Sequence, residues 1–160
     1  MRAATTKPKP KLFLDSSGLI SAVISPTEAS PVYRLVMLGE ANIVDLRLSR
    51  EVIGDIERFI WARNPAMMPR VAAMIDRGRI ATAPDPSEET IVFCETLTGY
   101  RPDARILAAA IECAADILVT YDSMHLLDNP NIKPPDVSVM VMKPKDCLEW
   151  CYEQWINPPK

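Results

Sequence analysis

The sequence predicts a single three-layer α/β/α domain with a central parallel sheet. Short apolar, β-rich runs alternate along the chain with segments of helical periodicity, which is typical of a parallel sheet covered by helices on both faces. The 160 residues, 48% hydrophobic and 24% charged, suit one globular domain with one core. The 15 prolines fall mostly between the predicted elements, where they mark boundaries.

The elements of the first half follow from apolar spacing and from capping residues. Residues 1–10 are basic and contain proline, and we predict that they form a flexible arm before a domain over residues 11–156. Ser49 is a favourable N-cap for the helix after it. The predicted elements are a strand over 11–15, helices over 16–24 and 31–40, a strand over 43–48, helices over 50–61 and 67–77, and a strand over 80–83.

The second half continues the alternation of helix and strand. Ser87 begins a predicted helix, and residues 103–115 have strong helical periodicity. Residues 117–120 are mostly apolar and β-branched, which predicts a short buried strand. A last strand is predicted over 137–142 and a last helix over 144–156, which begins with a proline.

Acidic side chains recur at one edge of this predicted sheet. Asp15 ends the first strand, and Asp122 follows the strand over 117–120. Parallel strands end at the same edge, and ligand sites of open α/β sheets lie there. Asp103 begins the helix that leads into the second of these strands, so it belongs to the same edge. Asp55 borders the apolar stripe of its helix; each acid alone could also be a cap, a turn residue or a surface charge.

The grouping of four carboxylates predicts a site for a hard cation. Carboxylates brought within about 4–6 Å raise one another's pKa values, and Mg²⁺ or Mn²⁺ relieves that repulsion through oxygen ligands. Such sites activate water for attack on a phosphodiester. Ser17 and Thr120 are predicted to support the carboxylates as hydroxyl groups, with helix capping and strand-end hydrogen bonding as the alternatives. His125 is a candidate general base or a packing residue.

Five segments, in their order and spacing, carry a family resemblance over about residues 11–150. The segments are LFLDSSGLI (12–20), SREVIGDI (49–56), DARILAAAI (103–111), ADILVTYDSMHLL (115–127) and VMVMKP (139–144). Together they resemble the PIN domain, the fold of VapC-type toxin ribonucleases and related nucleases. The resemblance implies a strand order of 3-2-1-4-5, a Mg²⁺ or Mn²⁺ site and endonucleolytic cleavage of RNA. It also implies a homodimer and, for a toxin of a toxin–antitoxin pair, a cognate antitoxin protein.

The resemblance assigns roles to individual acids. Asp15, Asp55, Asp103 and Asp122 take the catalytic acidic positions, and Asp15, Asp103 and Asp122 bind the metal directly. Two positions depart from the family pattern: Asp55 stands where Glu is usual, and Met124 stands where many members carry a further Asp. Glu51, one turn before Asp55, is the substitute ligand.

Two other interpretations stay open. The departures at Asp55 and Met124 favour a PIN-like module with weak or no activity that binds RNA or a protein partner. A receiver-like domain with a phosphorylatable Asp would also carry acids at strand ends, with Lys143 as the nearest lysine. Phosphorylation by a small phosphodonor would favour the receiver-like interpretation.

Composition narrows the range of partners and sites. The net charge of −3 means that RNA would be met by a local basic patch or through cations, and Arg101 and Arg105 lie beside Asp103. Four cysteines without a CxxC pair, together with one histidine, argue against a zinc site. No apolar run reaches the roughly 18 residues of a membrane span, so we expect a cytoplasmic protein.

Overall fold

The computed structural model describes residues 8–158 and 160. The predicted arm over residues 1–10 lies mostly outside the described residues. Within the part that is described, Pro10 is buried, and its carbonyl oxygen accepts a hydrogen bond of 2.9 Å from the backbone N–H of Asp45. This bond continues the pairing of the first two strands by one residue.

Strands and helices alternate along the described residues. The strands are β1 (Lys11–Leu14), β2 (Asp45–Leu48), β3 (Ala81–Thr82), β4 (Ile117–Val119) and β5 (Met140–Met142). The helices are α1 (Ser16–Ile24), α2 (Pro31–Glu40), α3 (Arg50–Arg63), α4 (Met68–Arg77), α5 (Glu88–Thr98), α6 (Arg101–Glu112) and α7 (Pro144–Cys151). A 3₁₀ turn covers Pro65–Met67, and π-helical turns cover Ser123–Leu127 and Tyr152–Ile156. Across the described ranges, no helix is both long and apolar enough to cross a bilayer.

The five strands form one parallel sheet in the order β3-β2-β1-β4-β5. This confirms the order 3-2-1-4-5 and the three-layer α/β/α class. In the register of the central pair, Leu14 lies beside Val119. β1 and β4 therefore end side by side, as their two aspartates predict. A receiver-like domain has the order 2-1-3-4-5, so that interpretation is wrong for this chain.

The core lies on both faces of the sheet, because parallel strands covered by helices bury both sets of side chains. Leu12, Phe13, Leu118 and the other residues of β1 and β4 after Lys11 are almost completely buried. Serine side chains begin several helices: Ser49 accepts a hydrogen bond of 3.3 Å from the N–H of Val52 at the start of α3. This confirms the predicted N-cap.

The helix that carries Asp103 differs from its prediction at both ends. α6 begins at Arg101 rather than at 103, because a proline is tolerated in the first turn of a helix, and Pro102 is its second residue. It ends at Glu112 rather than at 115, where Ala114 adopts a positive φ of 57° that a helix cannot continue. β5 is also shorter than predicted, and α7 gives way after Cys151 to a π-helical turn.

Candidate metal site

Three side chains meet beyond the carboxyl end of β4. The ligand atoms of Asp103, Asp122 and His125 all lie within 4.8 Å of one another. Nδ1 of His125 is 3.0 Å from Oδ2 of Asp103 and 3.6 Å from Oδ2 of Asp122. Each comes from a different element: Asp103 from the first turn of α6, Asp122 from the residues after β4, and His125 from the π-helical turn that follows.

The turn after β4 has a local cause in the sequence. Asp122 caps it, since its Oδ1 accepts a hydrogen bond of 3.1 Å from the backbone N–H of His125. The side chain of Asn129 donates a hydrogen bond of 2.9 Å to the carbonyl oxygen of His125. The imidazole ring stacks on Tyr100, with ring centroids 4.7 Å apart and planes inclined by 20°. The backbone and the ring of His125 are therefore both held in place.

Asp15 is anchored behind this group. It is 8% exposed, and it begins α1 as the N-cap, with Oδ1 accepting a hydrogen bond of 2.7 Å from Ser16 N–H. Its Oδ2 accepts a hydrogen bond of 2.7 Å from Oγ1 of Thr120. The same Thr120 oxygen accepts a hydrogen bond of 3.0 Å from the N–H of Asp122. Thr120 thus links the two aspartates that end β1 and β4.

Ser17 lies beside Asp15 in the chain and contacts the backbone next to Asp122. Its Oγ accepts a hydrogen bond of 3.2 Å from the backbone N–H of Tyr121. The serine therefore joins the first turn of α1 to the chain after β4.

Asp55 and Glu51 on α3 lie outside the close group. Asp55 pairs with Arg58, one turn further along the helix. Glu51 lies 3.6 Å from Nη1 of Arg105 on α6. Each α3 carboxylate is thus engaged by an arginine, although the negative charge of Asp55 still acts to raise the pKa values of Asp15 and Asp103.

The negative charges of these acids affect one another. Burial, followed by the hydrogen bond with Asp122 and then by its negative charge, raises the pKa of Asp103 from 3.8 to about 7. Burial also raises the pKa of Asp15, although the hydrogen bond from Thr120 opposes the increase. Burial opposes the charged form of Asp122 too, but hydrogen bonds from the backbone N–H of His125 and from Asp103 lower its pKa. Of this pair, Asp103 is therefore the carboxyl group that takes up a proton as the pH falls below about 7.

The group fits a divalent cation in its chemistry. Oδ2 of Asp103 is buried, and it accepts no hydrogen bond from any residue that the structure describes. A buried carboxylate oxygen without a partner is costly, and a cation would satisfy it. Two carboxylates suit Mg²⁺ or Mn²⁺, and an imidazole suits the first-row transition ions.

A groove lined by charged groups lies between α3 and α6, the helix that carries Asp103. This pocket of about 320 Å³ is bordered by three arginines and two acids: Arg50, Arg58, Arg105, Glu51 and Asp85. Each of the three arginines has an acidic partner, Asp85, Asp55 and Glu51 respectively. Arg101, the other arginine beside Asp103, pairs with two glutamates of α5.

The fold is shared with solved structures of very different sequence. No sequence-family model matches the chain, and no curated protein sequence matches it significantly. PAE2754 from Pyrobaculum aerophilum superposes with a TM-score of 0.62 at 13% identity, over 88% of this chain and 94% of that one. VapBC2 from Rickettsia felis, bound to a DNA fragment from its promoter, gives 0.59 at 14% identity, over 83% and 99%. The Mycobacterium tuberculosis toxin VapC20, described as sarcin–ricin loop cleaving, gives 0.51 at 14% identity, over 70% and 90%.

The chain has the PIN-domain fold. Within this fold, Asp103 and Asp122 lie together, and Thr120 connects Asp15 to them. Sequence reasoning gave His125 no place among the ligands. The signal that could have found it is the spacing Asp-x-x-His after a buried strand, in a chain with a single histidine.

Proposed function

We propose that this chain is a metal-dependent endoribonuclease that cleaves RNA phosphodiester bonds with Mg²⁺ or Mn²⁺. The observation that supports it best is the close approach of Asp103 and Asp122, together with the buried Oδ2 of Asp103, which has no hydrogen-bond partner among the described residues. Such an arrangement does not stabilise the fold, because negative charges at short range repel one another. Strongly perturbed carboxyl pKa values at the mouth of a parallel sheet are typical of catalytic sites.

The proposed ligands are Asp15, Asp103 and Asp122, with Asp55 acting through water. A divalent cation supplies, when bound, positive charge that stabilises the negative charge developing on the phosphodiester. Asp103 loses its proton on cation binding, since only the carboxylate form is a ligand. Thr120 keeps Asp15 and the backbone of Asp122 in a fixed relation, so the site needs little rearrangement.

RNA is the proposed substrate because Arg105, which stands on the same helix as Asp103, shares a groove with two further arginines. Arg50, Arg58 and Arg105 border the groove, and exposed arginines suit the phosphate oxygens of a nucleic-acid backbone. The net charge of −3 makes this local patch, rather than the whole surface, the place of contact. The pairing of Arg58 with Asp55 is one that a phosphate would compete for.

The toxin of a toxin–antitoxin pair is the biological role that we propose. Two of the similar structures are named as VapC or VapBC proteins, and one of them is a complex. On this proposal the chain is a cytoplasmic homodimer, and a small antitoxin protein binds it.

Asp15→Asn tests the nuclease proposal with little risk to the fold. Asn is as good an N-cap as Asp: its side-chain oxygen can accept the hydrogen bond from Ser16 N–H, and its amide group can donate to the oxygen of the Thr120 hydroxyl, which turns its own hydrogen away. We expect cleavage of a fluorescent RNA in Mn²⁺ to fall at least about 100-fold, and to stop in EDTA for the wild type. Asp136→Asn, at an exposed carboxylate, is the matched control and should cleave normally. Wild-type rates in Asp15→Asn would refute the proposal.

A PIN-like binding module is the second candidate. The observations that favour it are the ion pair that engages Asp55 and the 78% exposed Met124 at the position of a further acid. It predicts RNA binding that weakens with salt, and no cleavage with any divalent ion. RNA retention without cleavage in the wild type would select it.

A further inference from the structure

We propose that His125 is a metal ligand through Nδ1, which makes the centre an Asp–Asp–His site that favours Mn²⁺ over Mg²⁺. The inference rests on the proposed metal-dependent function, and it adds a nitrogen donor that the carboxylate set does not contain. Three features of the structure lead to it: the spacing of the donor atoms, the orientation of the ring, and the buried oxygen of Asp103.

The spacing of the donor atoms matches a shared ion. Ligands bound at about 2.1 Å to one octahedral ion lie roughly 3.0 Å apart when adjacent and about 4.2 Å apart when opposite. Nδ1 of His125 lies 3.0 Å from Oδ2 of Asp103 and 3.6 Å from Oδ2 of Asp122. All three donors lie within 4.8 Å. These distances lie close to the spacing of ligands around a single ion.

Nδ1 of His125 and Oδ2 of Asp103 lie 3.0 Å apart, which is close enough for an ion pair when the imidazole carries a proton. No residue that the structure describes makes an aligned hydrogen bond to this oxygen. A cation that displaces the proton between the two atoms would take both of them as ligands.

The imidazole is held in advance in this orientation. Tyr100 stacks on one face of the ring at 4.7 Å, and the backbone N–H of His125 is bonded to Asp122. Asn129 fixes the carbonyl oxygen of His125 from the other side. A ligand that is already ordered loses little conformational entropy on binding, which favours a preformed site. Tyr100 acts here as a positioning residue.

A nitrogen donor changes the preference among ions. Imidazole binds transition ions better than it binds Mg²⁺, which prefers oxygen and keeps several waters. Removal of the imidazole should therefore weaken Mn²⁺ binding more than Mg²⁺ binding. In a His125 variant we expect the Kd for Mn²⁺ to rise at least about tenfold and the Kd for Mg²⁺ to rise less. The preference for Mn²⁺, measured as the Kd for Mg²⁺ divided by the Kd for Mn²⁺, should therefore fall.

Pulsed electron paramagnetic resonance of bound Mn²⁺ tests the proposal without any assay of cleavage. The chain has one histidine, so in protein freed of any histidine tag a directly bound nitrogen is assignable to His125. We expect nitrogen coupling in the wild type, a changed coupling when the histidine is ¹⁵N-labelled, and none in His125→Phe or His125→Gln. The phenylalanine keeps a ring for stacking on Tyr100, and the glutamine offers an oxygen instead. Met124→Ala, an exposed change in the same turn, is the control and should keep the coupling.

The outcomes separate this proposal from the proposed function. Nitrogen coupling that disappears in both His125 variants, with a fall in the Mn²⁺-to-Mg²⁺ preference, supports the assignment. Mn²⁺ binding without nitrogen coupling overturns the role of His125 and leaves the metal-dependent nuclease intact. Failure of the wild type to bind Mn²⁺, measured by calorimetry, overturns both proposals at once.

Discussion

Asp103→Asn should stabilise the metal-free protein while removing its ability to bind a cation. The folded-state pKa of Asp103, about 7, lies above its ordinary value of 3.8. Between about pH 4 and pH 7 the folded chain therefore holds a proton that the unfolded chain has lost. The stability from this group is complete below pH 4, and it disappears as the pH rises through 7. An amide at this position stays neutral at every pH.

The size of the effect follows from the shift. The full change from 3.8 to about 7 sets an upper limit of roughly 4 kcal/mol. Solvent screens this partly exposed carboxyl group, so we expect a gain of about 2 kcal/mol at pH 8. For a chain of this length that is about 4–8 °C in Tm. At pH 4 the wild-type carboxyl group is protonated in the folded state, and the gain should vanish.

Thermal unfolding in EDTA and in Mn²⁺, at pH 4 and pH 8, measures the effect. In EDTA at pH 8 the variant should melt above the wild type. Mn²⁺ at 100 times its Kd should stabilise the wild type by about 2.7 kcal/mol and leave the variant unchanged. In Mn²⁺ the variant should therefore no longer melt above the wild type. Asp136→Asn controls for the loss of a negative charge at an exposed position. Equal Tm values for variant and wild type in EDTA at pH 8 would refute the electrostatic reasoning.

Two further predictions concern stability. Thr120→Val should cost about 3 kcal/mol in urea unfolding, because the Asp15 carboxylate and the Asp122 N–H both lose a buried hydrogen-bond partner. Thr120→Ser keeps the hydroxyl and should cost only about 1 kcal/mol; similar midpoints for the two variants would contradict the role of the hydroxyl. Gly39→Ala should destabilise by about 2 kcal/mol or more, since its Cβ would lie 2.4 Å from a backbone carbonyl oxygen after α4. In Gly54→Ala the added Cβ would lie 3.4 Å from the end of an arginine side chain only, so this substitution should be neutral or stabilising. If both substitutions destabilised the protein, the packing argument would be contradicted.

Local patterns in the sequence were sufficient for the helices, the strands and the parallel sheet that they form. The apolar runs that end in Asp15 and precede Asp122 identify β1 and β4, and parallel pairing brings their ends together. The alternation of strand and helix predicts the parallel sheet and its covering helices, because both depend on the spacing of apolar residues along the chain. The strand order came from the family resemblance, since periodicity alone does not determine which strands are neighbours.

The close distances in the site depended on the tertiary structure. Asp55 borders the apolar stripe of α3, as the sequence indicates, yet its carboxylate pairs with Arg58 and stays outside the close group. His125 enters the group because the turn after β4 is π-helical and because Tyr100, from a loop between two helices, supports its ring. Apolar periodicity is a property of neighbouring residues, and it determined the sheet and the edge at which the acids collect. Distances of 3–4 Å between side chains from separate elements depend on how turns and helices pack, and only the folded chain decides them.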